Sequence, residues 1–199
     1  GKDEIFTALN TANLNDVALV WVSKGIRVET PIHLLFVSLI GEETMITQPR
    51  CLIVAEPGSQ GTIIEHYGTS NMGCPDGRNA HHYFNNPVTE IWIEENAHIN
   101  HTRIQRDAGD AFHIGKNAIS QARSSHYTGH AINLGSSLSR HNWEIFQTGE
   151  GTETILNGLT LIGREQLADT HSFLELNYPN GVSRQLNKCI VEDKAHGVF

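Results

Sequence analysis

Short runs of β-branched, aromatic and other apolar residues recur along the chain, and turn-forming residues separate them. The runs are four to seven residues long and rich in Val, Ile, Thr, Phe and Trp, a composition typical of strands. They cover residues 17–22, 32–38, 50–55, 62–66, 88–93, 99–105, 131–134, 144–147 and 173–176. The pattern therefore predicts an all-β chain of many short strands.

One short helix is predicted near the start of the chain. Apolar residues stand at roughly helical spacing within residues 3–14, at Ile5, Phe6, Leu9 and Leu14. Residues 68–86 are rich in Gly and Asn, and we interpret them as a long surface loop. No linker divides the sequence, so residues 1–199 are expected to form one domain.

Turn residues also recur at a fairly regular interval of about 20 residues, at the short end of the periods seen in repeat proteins. They are Gly58, Gly77, Asn96, Asn117, Gly135, Asn157 and Asn180. Two or three short strands with their turns would fill one interval, which is what one coil of a β-solenoid requires. An all-β sandwich or jelly roll would also give short strands separated by turns. The pattern alone leaves both architectures open.

Composition and charge exclude several kinds of partner. The 199 residues are 39% hydrophobic and 18% charged, which is typical of a folded chain. The net charge of −8 leaves no broad basic surface for nucleic acid or for an anionic membrane. The longest apolar runs, residues 17–22 and 34–40, are far shorter than the ~20 residues that span a bilayer. We therefore expect neither nucleic acid nor membrane as a partner.

The three cysteines indicate a reducing compartment. Cys51, Cys74 and Cys189 are an odd set without a CxxC pair, which argues against a disulfide framework and a tetrathiolate metal site. Cys51 and Cys189 lie in apolar strand-like segments, where a thiol is usually a small core residue. Cys74 lies in the predicted loop, where a single thiol specifies no reaction.

Other catalytic motifs are missing from the sequence. It contains no GxSxG nucleophile elbow and no phosphate-binding P-loop. Two pairs of carboxylates, Glu42 with Glu43 and Glu94 with Glu95, occupy adjacent positions and would face opposite ways in a strand. We interpret both pairs as solvated turn charges.

Twelve histidines are the most conspicuous count. Local groups are formed by His98 with His101, by His126 with His130, and by His141. Because residues four apart in a strand point to one face, His126 and His130 are candidates for binding one zinc ion. One hypothesis is thus a metal-dependent enzyme on a β-helix, with a zinc site like that of a carbonic anhydrase. The alternative is that these side chains line polar faces and turns of a solenoid, and HExxH and HxH motifs are absent.

Six segments carry distinctive motifs. They are PRCLIVAEPGSQGTIIEHY (49–67), PVTEIWIEENAHINHTRIQ (87–105), SLSRHN (137–142), TGEGTETILNGLTL (148–161), ADTHS (168–172) and RQLNKCIVEDKAHGVF (184–199). Together they resemble the SufB/SufD family, core components of the Suf machinery for iron-sulfur cluster assembly. The RHN, ADTHS and C-terminal motifs are closer to the SufD branch than to the SufB branch, in its cyanobacterial and plastid forms.

The resemblance implies a right-handed parallel β-helix core flanked by helical regions. It also implies pairing with SufB through the β-helices, and binding of the SufC ATPase through a C-terminal helical region. It assigns no reaction to a SufD-type subunit. We therefore expect a non-enzymatic scaffold subunit of the SufBCD complex, in the cytoplasm or the plastid stroma.

The resemblance also implies that the β-helix of the family continues beyond the motif that ends at residue 199. Residues 1–199 are thus expected to be a fragment of the β-helix core domain, without its C-terminal coils and helical domain. An open end of this kind could pair with a second copy. None of the His or Cys residues matches the functional His of the family, so no catalytic, cofactor-binding or metal-binding residue is assigned. An iron-sulfur cluster is expected only in the full complex.

Overall fold

The computed structural model describes residues 4–39, 44–69, 82–107 and 110–199. Within these ranges the chain forms one helix, α1 (Ile5–Ala12), and fifteen strands. The strands are β1 (Ala18–Val22), β2 (Ile32–Ser38), β3 (Met45–Thr47), β4 (Arg50–Ala55), β5 (Gln60–Thr69), β6 (Tyr83–Asn85), β7 (Val88–Ile93), β8 (His98–Arg106), β9 (Phe112–Gln121), β10 (His126–Asn133), β11 (Leu138–Gln147), β12 (Glu153–Ile162), β13 (Leu167–Glu175), β14 (Val182–Val191) and β15 (His196–Val198). The all-β prediction is confirmed.

The strands stack into two sheets, and every strand pair among the described residues is parallel. The first sheet has the order β1-β4-β7-β9-β11-β13-β15, with β3 and β6 beside this path. The second sheet has the order β14-β12-β10-β8-β5-β2. Because the chain passes back and forth between the sheets, it winds as a β-solenoid of about six turns. A sandwich or jelly roll, whose strands are antiparallel, is excluded.

One coil of this solenoid is longer than the spacing of turn residues predicted. His126 stacks directly on His98, and Leu167 stacks directly on Leu138. Positions that stack on each other are therefore separated by a longer stretch of chain than the interval between the turn residues, although the repeat is still of ordinary length for a solenoid. The predicted coil length was wrong, because each coil contains two long strands rather than two or three short ones.

Some of the turn residues that suggested the shorter repeat lie inside strands. Gly58, Asn96 and Asn180 do stand at turns between the sheets, and each has a positive φ. Asn117 lies within β9 and Asn157 lies within β12. Asn117 faces the polar interior and Asn157 lies on the outer face beside His130, so an Asn can occupy either side of a strand and does not by itself identify a corner.

Helix α1 packs across the outer face of the first sheet. Glu4, just before the helix, places Oε2 2.7 Å from Nζ of Lys116 on β9. At the other end, Nδ2 of Asn10 donates a hydrogen bond of 2.8 Å to the carbonyl of Asn86. The helix confirms the prediction over residues 3–14, of which residue 3 lies outside the described residues. In the described part of the chain, no helix is long and apolar enough to cross a membrane.

The predicted surface loop at residues 68–86 is shorter than expected. Strand β5 continues to Thr69, and β6 lies inside the predicted loop. The intervening residues 70–81, which contain Cys74 and Gly77, lie outside the described residues, as do Glu42 and Glu43.

One half of the solenoid interior is apolar. Four isoleucines occupy matched positions in β4, β7, β9 and β11 and are fully buried, namely Ile53, Ile91, Ile119 and Ile145. Burial of each side chain stabilises the fold by roughly 2 kcal/mol relative to its exposure. This ladder therefore ties four coils together, while the other half of the interior is polar.

Candidate functional site

Among the ionisable side chains of the polar half of the interior, five form two connected clusters and are almost completely shielded from solvent. Glu65 and Arg103 are paired in the register of β5 and β8. His101 lies two residues before Arg103, and His113 enters from β9. Asp107 follows β8 and is 6% exposed, while the other four side chains are at most 1% exposed. Charged groups are rarely buried so deeply unless they are paired.

The first cluster is centred on the Glu65 carboxylate. Thr89 Oγ1 donates a hydrogen bond of 2.6 Å to Oε1 of Glu65. Nε2 of His101 lies 3.3 Å from Oε2, within ion-pair distance although it is not aligned as a hydrogen bond. Nδ1 of His101 is 3.0 Å from the Tyr127 hydroxyl. The cluster thus joins three consecutive coils through β5, β8 and β10.

These contacts reverse the usual effect of burial on the carboxylate. Burial alone would raise the pKa of Glu65, but the interaction with His101 and the hydrogen bond from Thr89 lower it below its ordinary value. Burial raises the pKa of Tyr127, and the negative charge of Glu65 adds to this rise. Glu65 is therefore an anion and Tyr127 a neutral phenol at physiological pH.

The second cluster links Asp107, His113 and Arg103. Nδ1 of His113 is 2.7 Å from Oδ2 of Asp107, and Nε2 of His113 is 2.5 Å from Nη2 of Arg103. Arg103 can only donate, so the Nε2 atom of His113 must accept and Nδ1–H must donate to Asp107. Arg103 also donates a 2.8 Å hydrogen bond to Oδ1 of Asn133. This network fixes His113 as a neutral imidazole with one tautomer.

The pKa values agree with that protonation pattern. Burial lowers the pKa of His113, and the neighbouring Arg103 charge acts in the same direction against the opposing effect of Asp107. Burial would raise the pKa of Asp107, but His113, Tyr83 and Gln105 hold it far below its ordinary value. The Tyr83 hydroxyl donates a 2.7 Å hydrogen bond to Oδ1 of Asp107. Each charge in the cluster is therefore compensated from within the solenoid, which suits a structural role.

The histidine pairs that are close in sequence are not brought together. On β8, His98 is half-buried on the outer face, whereas His101 points inward. His126 and His130 share the outer face of β10, but four residues of strand separate their Cα atoms by roughly 13 Å. Side chains that stand perpendicular to a sheet at that spacing cannot bind one zinc ion. Neither pair forms the zinc site considered from the sequence.

The register instead joins histidines from successive coils. The rings of His98 and His126 stack with centroids 4.2 Å apart, and Nε2 of His126 lies 3.3 Å from Oε2 of Glu153. His141 is fully buried, and its ring packs edge-on against Trp143 at 5.2 Å. Within the described ranges, no group of three or more His, Cys, Asp or Glu side chains is arranged to hold a metal ion.

The remaining candidates occupy ordinary structural positions. Cys51 is 1% exposed, and burial together with the nearby Glu65 charge raises the pKa of its thiol, which disfavours the reactive thiolate. Cys189 is partly buried on β14. Glu94 and Glu95 stand at the turn after β7, with Glu95 exposed and its Oε1 atom 3.4 Å from Nε of Arg123.

Sequence reasoning singled out His101 but missed Glu65, Arg103, Asp107 and His113, although one signal was available. In β5 the inward-facing residues alternate as Gly61, Ile63, Glu65 and Tyr67. A carboxylate at one of the inward-facing positions, where apolar residues are expected, indicates a buried charge with a partner inside the protein. The partners, which come from other coils, could be identified only after the register was known.

Two parallel sheets wound around an interior that is apolar in one half and holds paired charges in the other define this chain as a β-solenoid. Residues 38–199 match the family described as "SUF system FeS cluster assembly, SufBD core domain". The chain therefore belongs to the SufBD family of iron-sulfur cluster assembly proteins.

Similar proteins come from bacteria and plants. An iron-sulfur cluster assembly SufBD family protein of Synechocystis is 44% identical over 99% of this chain and 44% of its own length. The chloroplastic protein ABCI7 of Arabidopsis thaliana is 31% identical over 94% of the chain and 39% of its own length. SufD of Escherichia coli is 28% identical over 98% of the chain and 45% of its own length. The chain thus spans about two fifths of the length of these relatives.

Proposed function

We propose that this chain acts as a scaffold in iron-sulfur cluster assembly and catalyses no reaction of its own. The observation that carries the proposal is the match of residues 38–199 to the SufBD core domain. In this role the cluster is cargo that the complete assembly machinery builds or transfers, and this chain alone does not hold it.

The interior geometry supports a scaffold. The ionisable groups of the core contact one another, as in the 2.7 Å contact between His113 and Asp107 and the 2.6 Å hydrogen bond between Thr89 and Glu65. Groups engaged in this way fix the stacking of coils rather than bind a substrate. The two parallel sheets then present long outer faces to other proteins.

The proposed partners are a SufB-type protein and a SufC-type ATPase. The SufB-type protein would pair with this chain through the β-helix. The SufC-type ATPase would bind a helical region, which residues 110–199 do not supply because they form strands and turns. We further propose that the protein works in the bacterial cytoplasm or the plastid stroma, because its relatives include a bacterial SufD and a protein named as chloroplastic.

Pairwise co-expression tests these assignments. The tagged chain would be expressed with either a SufB-type or a SufC-type protein of the same organism, and the complexes would be weighed by native mass spectrometry. We expect a stoichiometric complex with the SufB-type protein and only trace recovery of the SufC-type ATPase. Near-stoichiometric recovery of the ATPase, or no complex with the SufB-type protein, would contradict the proposed partner assignments.

A further inference from the structure

An apolar groove crosses the outer face of the first sheet, away from the polar interior. Its volume is about 530 Å³, and Trp21, Leu52, Val54 and Trp92 line its walls and floor. Trp21 pairs with Val54 and Val54 pairs with Trp92, so the two indoles stand on strands either side of β4. Two strand spacings place their backbones roughly 10 Å apart. This is enough room for an inserted side chain.

The groove leaves much apolar surface in contact with solvent. Trp21 is 57% exposed and Trp92 is 53% exposed. Leu19, on the same face of β1, is 58% exposed. Contiguous apolar surface of this kind usually marks an interaction site, and Trp is among the residues that contribute most to binding at protein interfaces.

Carboxylates surround this apolar floor. Glu56, Glu90 and Glu94 line the same groove. Glu90 forms an ion pair with Arg50, and Glu56 accepts a 2.7 Å hydrogen bond from the backbone N–H of Lys24. Both interactions hold the carboxylates in place at the rim. An incoming Lys or Arg would meet these carboxylates and the faces of the indoles, and both attract cations.

We propose that this groove docks a basic, amphipathic segment of a partner protein, with an apolar side chain between Trp21 and Trp92 and flanking Lys or Arg residues at Glu56 and Glu94. The acidic rim disfavours two other occupants. A second copy would bring its own carboxylates to the same place, and an anionic membrane would be repelled. The inference goes beyond the proposed function and depends only on the groove.

Tryptophan fluorescence measures directly whether a peptide binds in the groove. Trp143 is 2% exposed inside the solenoid, so quenching by acrylamide reports mainly Trp21 and Trp92. The probe is a short synthetic peptide of leucine and lysine, compared with a peptide in which glutamate replaces each lysine. We expect the lysine peptide to protect the indoles from quenching and to bind more weakly as salt is added. The glutamate peptide should not protect them.

Variants with matched controls locate the binding surface. We expect Trp92→Ala to weaken binding of the lysine peptide about tenfold, because it removes an exposed wall of the groove. Phe173→Ala, at a residue 54% exposed on β13 of the same sheet, should leave the affinity unchanged. The double change Glu56→Gln with Glu94→Gln should reduce the salt dependence, whereas Glu165→Gln, whose side chain is 81% exposed elsewhere, should not.

Several results would overturn the proposal. One is equal binding of the two peptides, and another is an equal loss of affinity for the lysine peptide in Trp92→Ala and Phe173→Ala. A third is that the chain dimerises or binds lipid vesicles and that Trp92→Ala abolishes this. Far-ultraviolet circular dichroism of each variant checks the fold, and Trp92→Phe, which preserves an aromatic strand residue, replaces Trp92→Ala if that variant does not fold. The Phe variant should then bind the lysine peptide more weakly than both the wild type and Phe173→Ala.

Discussion

Two fully buried histidines, His113 and His141, have lowered pKa values because the solenoid interior disfavours the charged imidazolium. Burial lowers the pKa of His141 well below its ordinary value, and the positive charge of Arg103 acts in the same direction. In the unfolded chain the same imidazole titrates near its reference value of about 6.5. The folded and unfolded states therefore bind different numbers of protons in mildly acidic solution.

The sign of the resulting pH dependence follows from that difference. As the pH falls below about 6.5, the unfolded chain takes up a proton on His141 and the folded chain does not. The stability associated with neutral His141 is thus fully present above about pH 6.5 and is lost at lower pH, by at most about 1.4 kcal/mol per pH unit. We predict that His141→Phe makes the free energy of unfolding less dependent on pH between 7.5 and 5.5, two test values on either side of about 6.5.

Urea unfolding at several pH values measures this dependence. The control is His196→Gln, because His196 is exposed on β15. The control should retain the wild-type pH dependence. If His141→Phe and the wild type lose stability in parallel as the pH falls, the assignment of His141 as a buried neutral group is wrong.

At the scale of the strand, the space left by neighbouring side chains in the stacked coils limits the size of the residue at each position. Gly129 on β10 pairs with His101 on β8 and with Leu156 on β12. A Cβ atom at Gly129 would lie 2.9 Å from Cε1 of Tyr127, and the Tyr127 ring is 1% exposed. Glycine here leaves space for the phenol that contacts His101.

We predict that Gly129→Ala destabilises the protein by about 1–3 kcal/mol, the usual cost of overpacking a filled interior. Gly61→Ala is the matched control, because a Cβ atom at this glycine of β5 would meet its nearest neighbour at an ordinary 3.8 Å. The control should be neutral or slightly stabilising. Chemical denaturation of both variants compares the free energies of unfolding, and equal values would refute the packing argument.

The element scale also shows how far the sequence could predict the fold. Composition alone predicts strands at residues 32–38, 50–55 and 88–93. The strands β2, β4 and β7 begin and end at these residues. Strand β9 was missed because Gly115, Lys116 and Asn117 interrupt its apolar pattern. Those residues suit a strand here because Asn117 faces the polar interior and Lys116 pairs with Glu4 and Glu144 on the outer face.

The candidate site could not be predicted from local spacing for a related reason. His98 and His126 are neighbours in the solenoid although a full coil of chain separates them in sequence. His98 and His101 are neighbours in sequence but face opposite sides of one strand. In a solenoid, residues that are one coil apart in sequence become neighbours. The spacing of the turn residues did not predict the length of that coil.

At the scale of the whole molecule, the stacked coils enclose an interior whose buried charged groups contact one another. The isoleucine ladder and the Glu65 and Asp107 clusters each join several coils. All three therefore hold the coils together along the axis of the solenoid. Outer faces, including the groove between Trp21 and Trp92, remain for other proteins. This division supports a protein that acts by holding partners.

Elemental analysis of the purified chain, after incubation with excess zinc or ferrous iron and gel filtration, tests that central claim most directly. A scaffold without metal chemistry of its own should retain far less than one metal ion per chain. Changing both outward histidines, with His98→Asn and His126→Asn, should then make no difference. One tightly held ion per chain that this double variant loses would contradict the account and favour a metal-dependent enzyme.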